Sequence, residues 1–132
     1  MEKDFISTQK YLIVGPRKVR DVVALIKKLK PLDAIAKLEF INKKSSDFLI
    51  KVIKTAIAQA KVAGVTDTDL IFKEIQIGEG PRLKRGRPAS RGRWHPYKKR
   101  MCHVRVVLTT REVPKVEKVS KSKKTKKDVT QS

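Results

Sequence analysis

Apolar positions along this chain change their spacing several times, and each change marks an element. From Phe5 to Val14 (FISTQKYLIV) β-forming residues alternate loosely with polar ones, which predicts a strand. Gly15 and Pro16 end it, and Pro16 suits the first position of a helix. Val19, Val22, Val23, Ile26 and Leu29 then recur mostly at spacings of three and four, predicting an amphipathic helix of about four turns. Pro31 stops that helix and opens a shorter one, with apolar positions at Leu32, Ile35, Leu38 and Ile41. Asp33 falls in its first turn, where the helix dipole favours an acid. Ser45 and Ser46 offer an N-cap for a third helix. Its apolar face runs through Leu49, Val52, Ile53, Ala56, Ile57, Ala60 and Ala63, and Gly64 stands where a left-handed C-terminal cap is expected.

The spacing turns β-like again from Leu70 to Ile77 and from Cys102 to Thr109. In the second of these, Cys102, Val104, Val106 and Leu108 share one face, and His103 and Arg105 the other. Antiparallel pairing of the two strands makes the segment between them the far end of a hairpin. If Gly80 to Met101 continues as two legs, each has about eleven residues, and at roughly 3.3 Å per residue the arm projects about 35 Å. A body of about 110 residues has a radius of gyration of only about 13 Å. The arm, with its tip at Pro88 to Gly92, is therefore longer than the body is wide. An isolated two-stranded ribbon is marginal in water, so something outside the protein must hold it. No internal repeat is present, and residues 112–132, rich in Lys, Ser and Thr, are expected to be a disordered basic tail.

Composition identifies what that outside support is. The chain has 132 residues, a size for one domain, here residues 1–111 with the arm at about 80–102. Hydrophobic residues at 39% permit a modest core, but the net charge of +20 opposes compaction and asks for a polyanion. Residues 1–80 carry +5, residues 81–111 carry +11 with no acid, and residues 112–132 carry +4. Arginine binds phosphate through a planar fork and stacks on bases, while lysine acts as a point charge. The arm mixes Arg82, Arg85, Arg87, Arg91, Arg93 and Arg100 with Lys84, Lys98 and Lys99, and places Trp94 and Tyr97 among them as stacking surfaces. No recognition helix, zinc-finger spacing or basic zipper is visible, which favours folded RNA over duplex DNA.

Other chemistry finds little support. One cysteine makes no internal disulfide, which suits a reducing compartment, and no apolar run has the length of a membrane span. There is no phosphate-binding loop ending in Lys-Ser/Thr and no nucleophile elbow, and His95 and His103 lack carboxylate partners, so no enzyme, cofactor or metal is expected. Cys102 reads as a small core residue and His103 as a satisfied strand histidine. Trp94 has two readings of equal weight, packing on the opposite leg or stacking on a base.

Two motifs resemble a known family, the bacterial type of large-ribosomal-subunit protein L-twenty-two. Gly15-Pro16-Arg17-Lys18-Val19-Arg20 is similar to the family's Ser-Pro-x-Lys-x-Arg. Glu79-Gly80-Pro81-Arg82-Leu83-Lys84-Arg85, followed by Arg91-Gly92-Arg93, Lys99-Arg100 and His103, resembles its arm, and Thr55 to Ala60 (TAIAQA) its third helix. The resemblance runs from about Phe5 to Thr110. It implies an α+β fold, with three helices packed on a small antiparallel sheet and a long protruding β-hairpin arm. It implies a structural constituent of the large ribosomal subunit, located with the ribosome in the cytoplasm. Its partners would be large-subunit ribosomal RNA, neighbouring ribosomal proteins and, near the arm tip, the nascent peptide in the exit tunnel, with no membrane. Arg17, Lys18 and Arg20 would contact RNA from the body, Lys84 and Arg85 would hold the inner arm near the tunnel constriction, and Arg91 and Arg93 would lie at the tip. Gly15 departs from the family's serine, Leu83 from a common methionine and Trp94 from a small residue. Pro96 interrupts the returning leg, and the lysine-rich tail exceeds the usual length. The alternative is a general basic architectural protein of nucleic acids.

Overall fold

The computed structural model describes residues 4–110, so the expected disordered tail lies outside the described residues. Three strands, β1 (Asp4–Leu12), β2 (Leu70–Pro88) and β3 (Trp94–Thr110), form one antiparallel sheet in the order β1-β3-β2. Three helices, α1 (Pro16–Ile26), α2 (Pro31–Phe40) and α3 (Lys44–Val62), pack on one face of it, giving the expected α+β architecture. β3 is central because it alone alternates fully apolar residues over its second half. Cys102, Val104, Val106 and Leu108 are completely buried beneath α3, together with Leu49, Ile53 and Ala56 of that helix. Each such aliphatic side chain contributes about 1.5–3 kcal/mol relative to exposure.

The hairpin register follows from that alternation. Ile75 lies opposite Val106 and Ile77 opposite Val104, so both strands present apolar residues to the helices in step. Past Cys102 the core ends but pairing does not. The ladder runs on from Arg82 opposite Arg100 to Pro88 opposite Trp94.

Each helix differs from the spacing-based expectation. α1 has three turns, not four: it stops at Ile26, and the Leu29 amide donates to the Ile26 carbonyl at 2.9 Å in a tight turn. Pro31 bars the α conformation at Lys30, which is extended (φ −69°, ψ 154°), and the chain must leave the helix beforehand to turn. In α2 the buried face is Pro31, Ala34 and Leu38, while Leu32 is exposed and Ile35 half-buried. The small Ala34 lets α2 approach its neighbours closely, and that approach sets the rotation of the helix. In α3 the cap position belongs to Lys43, and neither serine caps the helix. Ser45 and Ser46 are instead buried in its first turn, as the opening members of the face that continues through Leu49 and Val52. At the C-terminus Ala63, expected on the apolar face, is instead the exposed cap residue, because the helix ends at Val62, while the glycine cap is as expected. Gly64 is left-handed (φ +79°), its amide reaches Lys61 O at 2.9 Å, and Val65 N–H reaches Ala60 O at 3.0 Å, closing a Schellman motif.

Candidate nucleic-acid interface

Alternation in a strand places every second residue on one face, and in the arm this sorts the basic residues into two surfaces. One face carries Arg82 opposite Arg100 and, one row further out, Lys84 opposite Lys98. Like charges directly opposite one another destabilise a sheet, and the described arm offers no acid beyond Glu79 to separate them. Arg82 is bridged to Glu79 at 3.2 Å, at the arm's root and in an exposed position. The remaining cations of that face have no ion pair among the described residues. Beyond them the same face becomes flat, with Gly86 opposite Pro96 and Pro88 opposite Trp94.

Trp94 lies diagonally across that flat patch. A Cβ added to Gly86 would coincide with its indole ring, so the ring packs directly on the opposite leg's backbone. It is nevertheless 65% exposed, which leaves its outer side open. The two readings of Trp94 are therefore compatible: the ring rests on the opposite leg and still presents a π surface. Pro96 does not break the leg. Both strands of a two-stranded ribbon are edges, where a missing amide hydrogen is tolerated.

The second face carries Leu83 opposite Lys99, Arg85 opposite Tyr97 and Arg87 opposite His95. The Arg87 guanidinium sits 5.1 Å from the Tyr97 ring centroid, a diagonal cation–π contact that orients both side chains. Arg85 donates to the Lys84 carbonyl at 2.8 Å. At the tip, Arg91 (φ 58°) and Gly92 (φ 69°) reverse the chain through a short 3-10 turn, and Ala89 N–H donates to Arg93 O at 2.7 Å. Arg91 and Arg93 consequently point from a closed turn, exposed.

On the body, Arg17, Lys18 and Arg20 are exposed along the first turns of α1. Arg20 reaches the Ile77 carbonyl of β2 at 3.5 Å, which brings the helix start beside the arm's root. Lys18 lines a cleft with Lys43, the residue before α3, and Lys44, its first residue, two lysines that the sequence reading did not single out. The Lys43-Lys44 dipeptide was the available signal, but only the fold brings it next to Lys18. His103 accepts a hydrogen bond from Tyr11 N–H through Nδ1 at 3.0 Å, in keeping with a satisfied strand histidine. Burial pushes the Cys102 thiol up, away from the reactive thiolate. Among the described residues no group of His, Cys, Asp and Glu is placed to hold a metal ion, and no helix is long and apolar enough to cross a membrane.

The fold defines a class of small α+β protein: a body of three helices on a sheet, from which a ribbon charged only with cations from Arg82 to Arg100 continues. Comparison with known proteins narrows that class. The family model described as "Ribosomal protein L22p/L17e" matches residues 7–109. "Large ribosomal subunit protein uL22" of Desulfitobacterium hafniense (strain Y51) is 41% identical over 104 residues, 78% of this chain and 91% of that protein. Its counterpart in Desulfatibacillum aliphaticivorans is 42% identical over 103 residues, 77% of this chain and 94% of that protein. That of Metamycoplasma arthritidis is 35% identical over 127 residues, 96% of this chain and 60% of that protein. The chain belongs to the ribosomal protein L22p/L17e family. It is a structural, non-enzymatic component of the bacterial-type large ribosomal subunit, in the cytoplasm.

Proposed function

We propose that the chain binds and stabilises folded large-subunit ribosomal RNA, and that its arm threads between RNA segments to line the nascent-peptide exit tunnel. One observation carries this reading above the others: the consecutive rows Arg82/Arg100 and Lys84/Lys98, in which cations face cations along a ribbon with no core of its own. Such rows repel in water and are relieved by phosphate on both sides. The mechanism is counterion release, with Arg17, Lys18 and Arg20 anchoring the body and Arg82, Lys84, Arg85, Arg87, Lys98, Lys99 and Arg100 neutralising phosphates along the arm. Trp94 offers a stacking surface near the tip, and Arg91 and Arg93 meet the tunnel wall and the nascent peptide there. Neighbouring ribosomal proteins are the expected contacts of the body.

The test is competitive binding of the full chain to large-subunit ribosomal RNA and duplex DNA at matched salt. A strong preference for the RNA, with affinity falling linearly in log salt, is expected. Equal affinity would favour a general architectural protein. Deleting residues 82–100 should leave the body folded, with cooperative unfolding close to the parent's, and should greatly weaken binding. A body that loses its fold on this deletion would make the arm part of the core and overturn the reading.

A further inference from the structure

Tyr11 stands out once the arm has been accounted for. It sits in a β-bulge of β1: the register runs from Gln9 opposite Val104 to Leu12 opposite Cys102, with one extra residue inserted. Its φ is 60°, a left-handed backbone that a bulky L-residue rarely adopts, one residue before the end of the strand. The side chain is 62% exposed. A large aromatic held out at a strained bulge calls for a compensating interaction, because the relaxed strand would need neither the strain nor the exposure.

Two contacts hold it. The Tyr11 amide donates to His103 Nδ1 at 3.0 Å, and the phenol and imidazole rings meet edge to face with centroids 5.0 Å apart. Accepting through Nδ1 requires the neutral imidazole to carry its proton on Nε2. A perpendicular contact leaves at least one face of the phenol uncovered. The pair lies on the sheet face opposite the helices, immediately below the arm. Arg105, two residues along β3 on the same face, is exposed and has no ion pair among the described residues.

We infer that Tyr11, presented by this bulge and positioned by His103, stacks on an unpaired base of the large-subunit RNA, with Arg105 contacting the adjoining phosphate. The inference rests on the RNA-binding reading above and adds a non-electrostatic contact at the arm's root. The surroundings select RNA as the occupant. Lys10 precedes Tyr11, the all-cationic rows of the arm begin just beyond, and an aromatic ring among lysines and arginines is the usual platform for a splayed base.

Stacking and phosphate contact differ in their salt dependence, and that difference is the test. Full-length Tyr11→Leu should bind large-subunit ribosomal RNA about five- to 150-fold more weakly, with the slope of log affinity against log salt unchanged. Tyr11→Phe, which keeps the ring, should bind as the parent does. His103→Leu should lose part of the affinity, and His103→Gln, which keeps an acceptor for the Tyr11 amide, should recover it. Tyr11→Leu that folds and binds with parental affinity would overturn the inference, as would Tyr11→Phe losing as much as Tyr11→Leu. Should Tyr11→Leu not fold, Tyr11→Trp in a Trp94→Phe chain carries the test: quenching of its emission on adding the RNA is expected, and unchanged emission would refute stacking. A parent chain without preference for the RNA over duplex DNA defeats the proposed function itself. A preference with Tyr11→Leu indifferent defeats this inference alone.

Discussion

The two halves of the β2–β3 hairpin are one continuous ladder governed by opposite physics. In the inner half, Val104, Val106 and Leu108 are fully buried under α3, and their burial holds the pairing. In the outer half, Arg82 faces Arg100 and Lys84 faces Lys98, and no side chain from Arg82 to Arg100 is buried. Besides backbone and side-chain hydrogen bonds, the diagonal contacts of Trp94 on Gly86 and of Arg87 on Tyr97 stiffen the arm from within. Backbone hydrogen bonding alone thus specifies a shape, whereas stability must come from whatever lies against the strands. For the inner half that is a helix, and for the outer half the proposed function assigns that role to RNA.

Substitutions on the two sides of this boundary should therefore register in different measurements. The largest effect is expected inside. Ile53→Ala removes a fully buried side chain and should cost about 2–5 kcal/mol in denaturant unfolding, with RNA affinity preserved under conditions where the variant is folded. Replacing Arg82, Lys84, Lys98 and Arg100 together by Gln does the reverse. Unfolding of the body should stay within about 0.5 kcal/mol of the parent. The log–log salt slope for RNA binding should fall by about one for each phosphate that is no longer neutralised. Gly86→Ala sharpens the comparison at the distal end, because the new methyl group displaces the indole. Trp94 fluorescence should shift to that of a fully solvated indole while the unfolding midpoint of the body stays put.

The smallest effect belongs to the sheet's far end, where Lys73 bonds Asp4 at 2.8 Å and holds its carboxyl below the ordinary value of 3.8. A lowered folded-state pKa contributes stability above the unfolded pKa, and that contribution is lost as pH falls through the lowered value. Asp4→Asn should therefore be slightly less stable than the parent at pH 7, with the gap closing in acid. A gap that widened in acid would contradict this assignment.

Elements held by long-range burial were legible in the sequence because burial leaves a periodic trace. The α3 face, the alternation of β3 and the continuation of the hairpin through an acid-free stretch all could be read that way. Features set by competition between neighbours could not. Ser45 and Ser46 have the chemistry of caps, yet burial of the α3 face claims them, so the helix starts earlier, at Lys44. Leu32 outranks Ala34 in hydrophobicity, but close approach of α2 to the body favours the smaller residue. All the basic arm residues singled out in the sequence are indeed exposed, and charge alone suffices to find them. Tyr11 was missed because a left-handed residue inside a strand has no signature unless it is glycine or asparagine. Lys43 and Lys44 were missed because their partner, Lys18, lies a helix and a half away along the chain.

Amide hydrogen exchange across the hairpin tests most directly whether RNA, not internal packing, orders the arm. In the free full-length chain, amides from Arg82 to Arg100 should exchange orders of magnitude faster than those from Val104 to Leu108, and binding to large-subunit ribosomal RNA should bring the two sets together. Arm amides as well protected as the inner strand in the free chain would contradict the account.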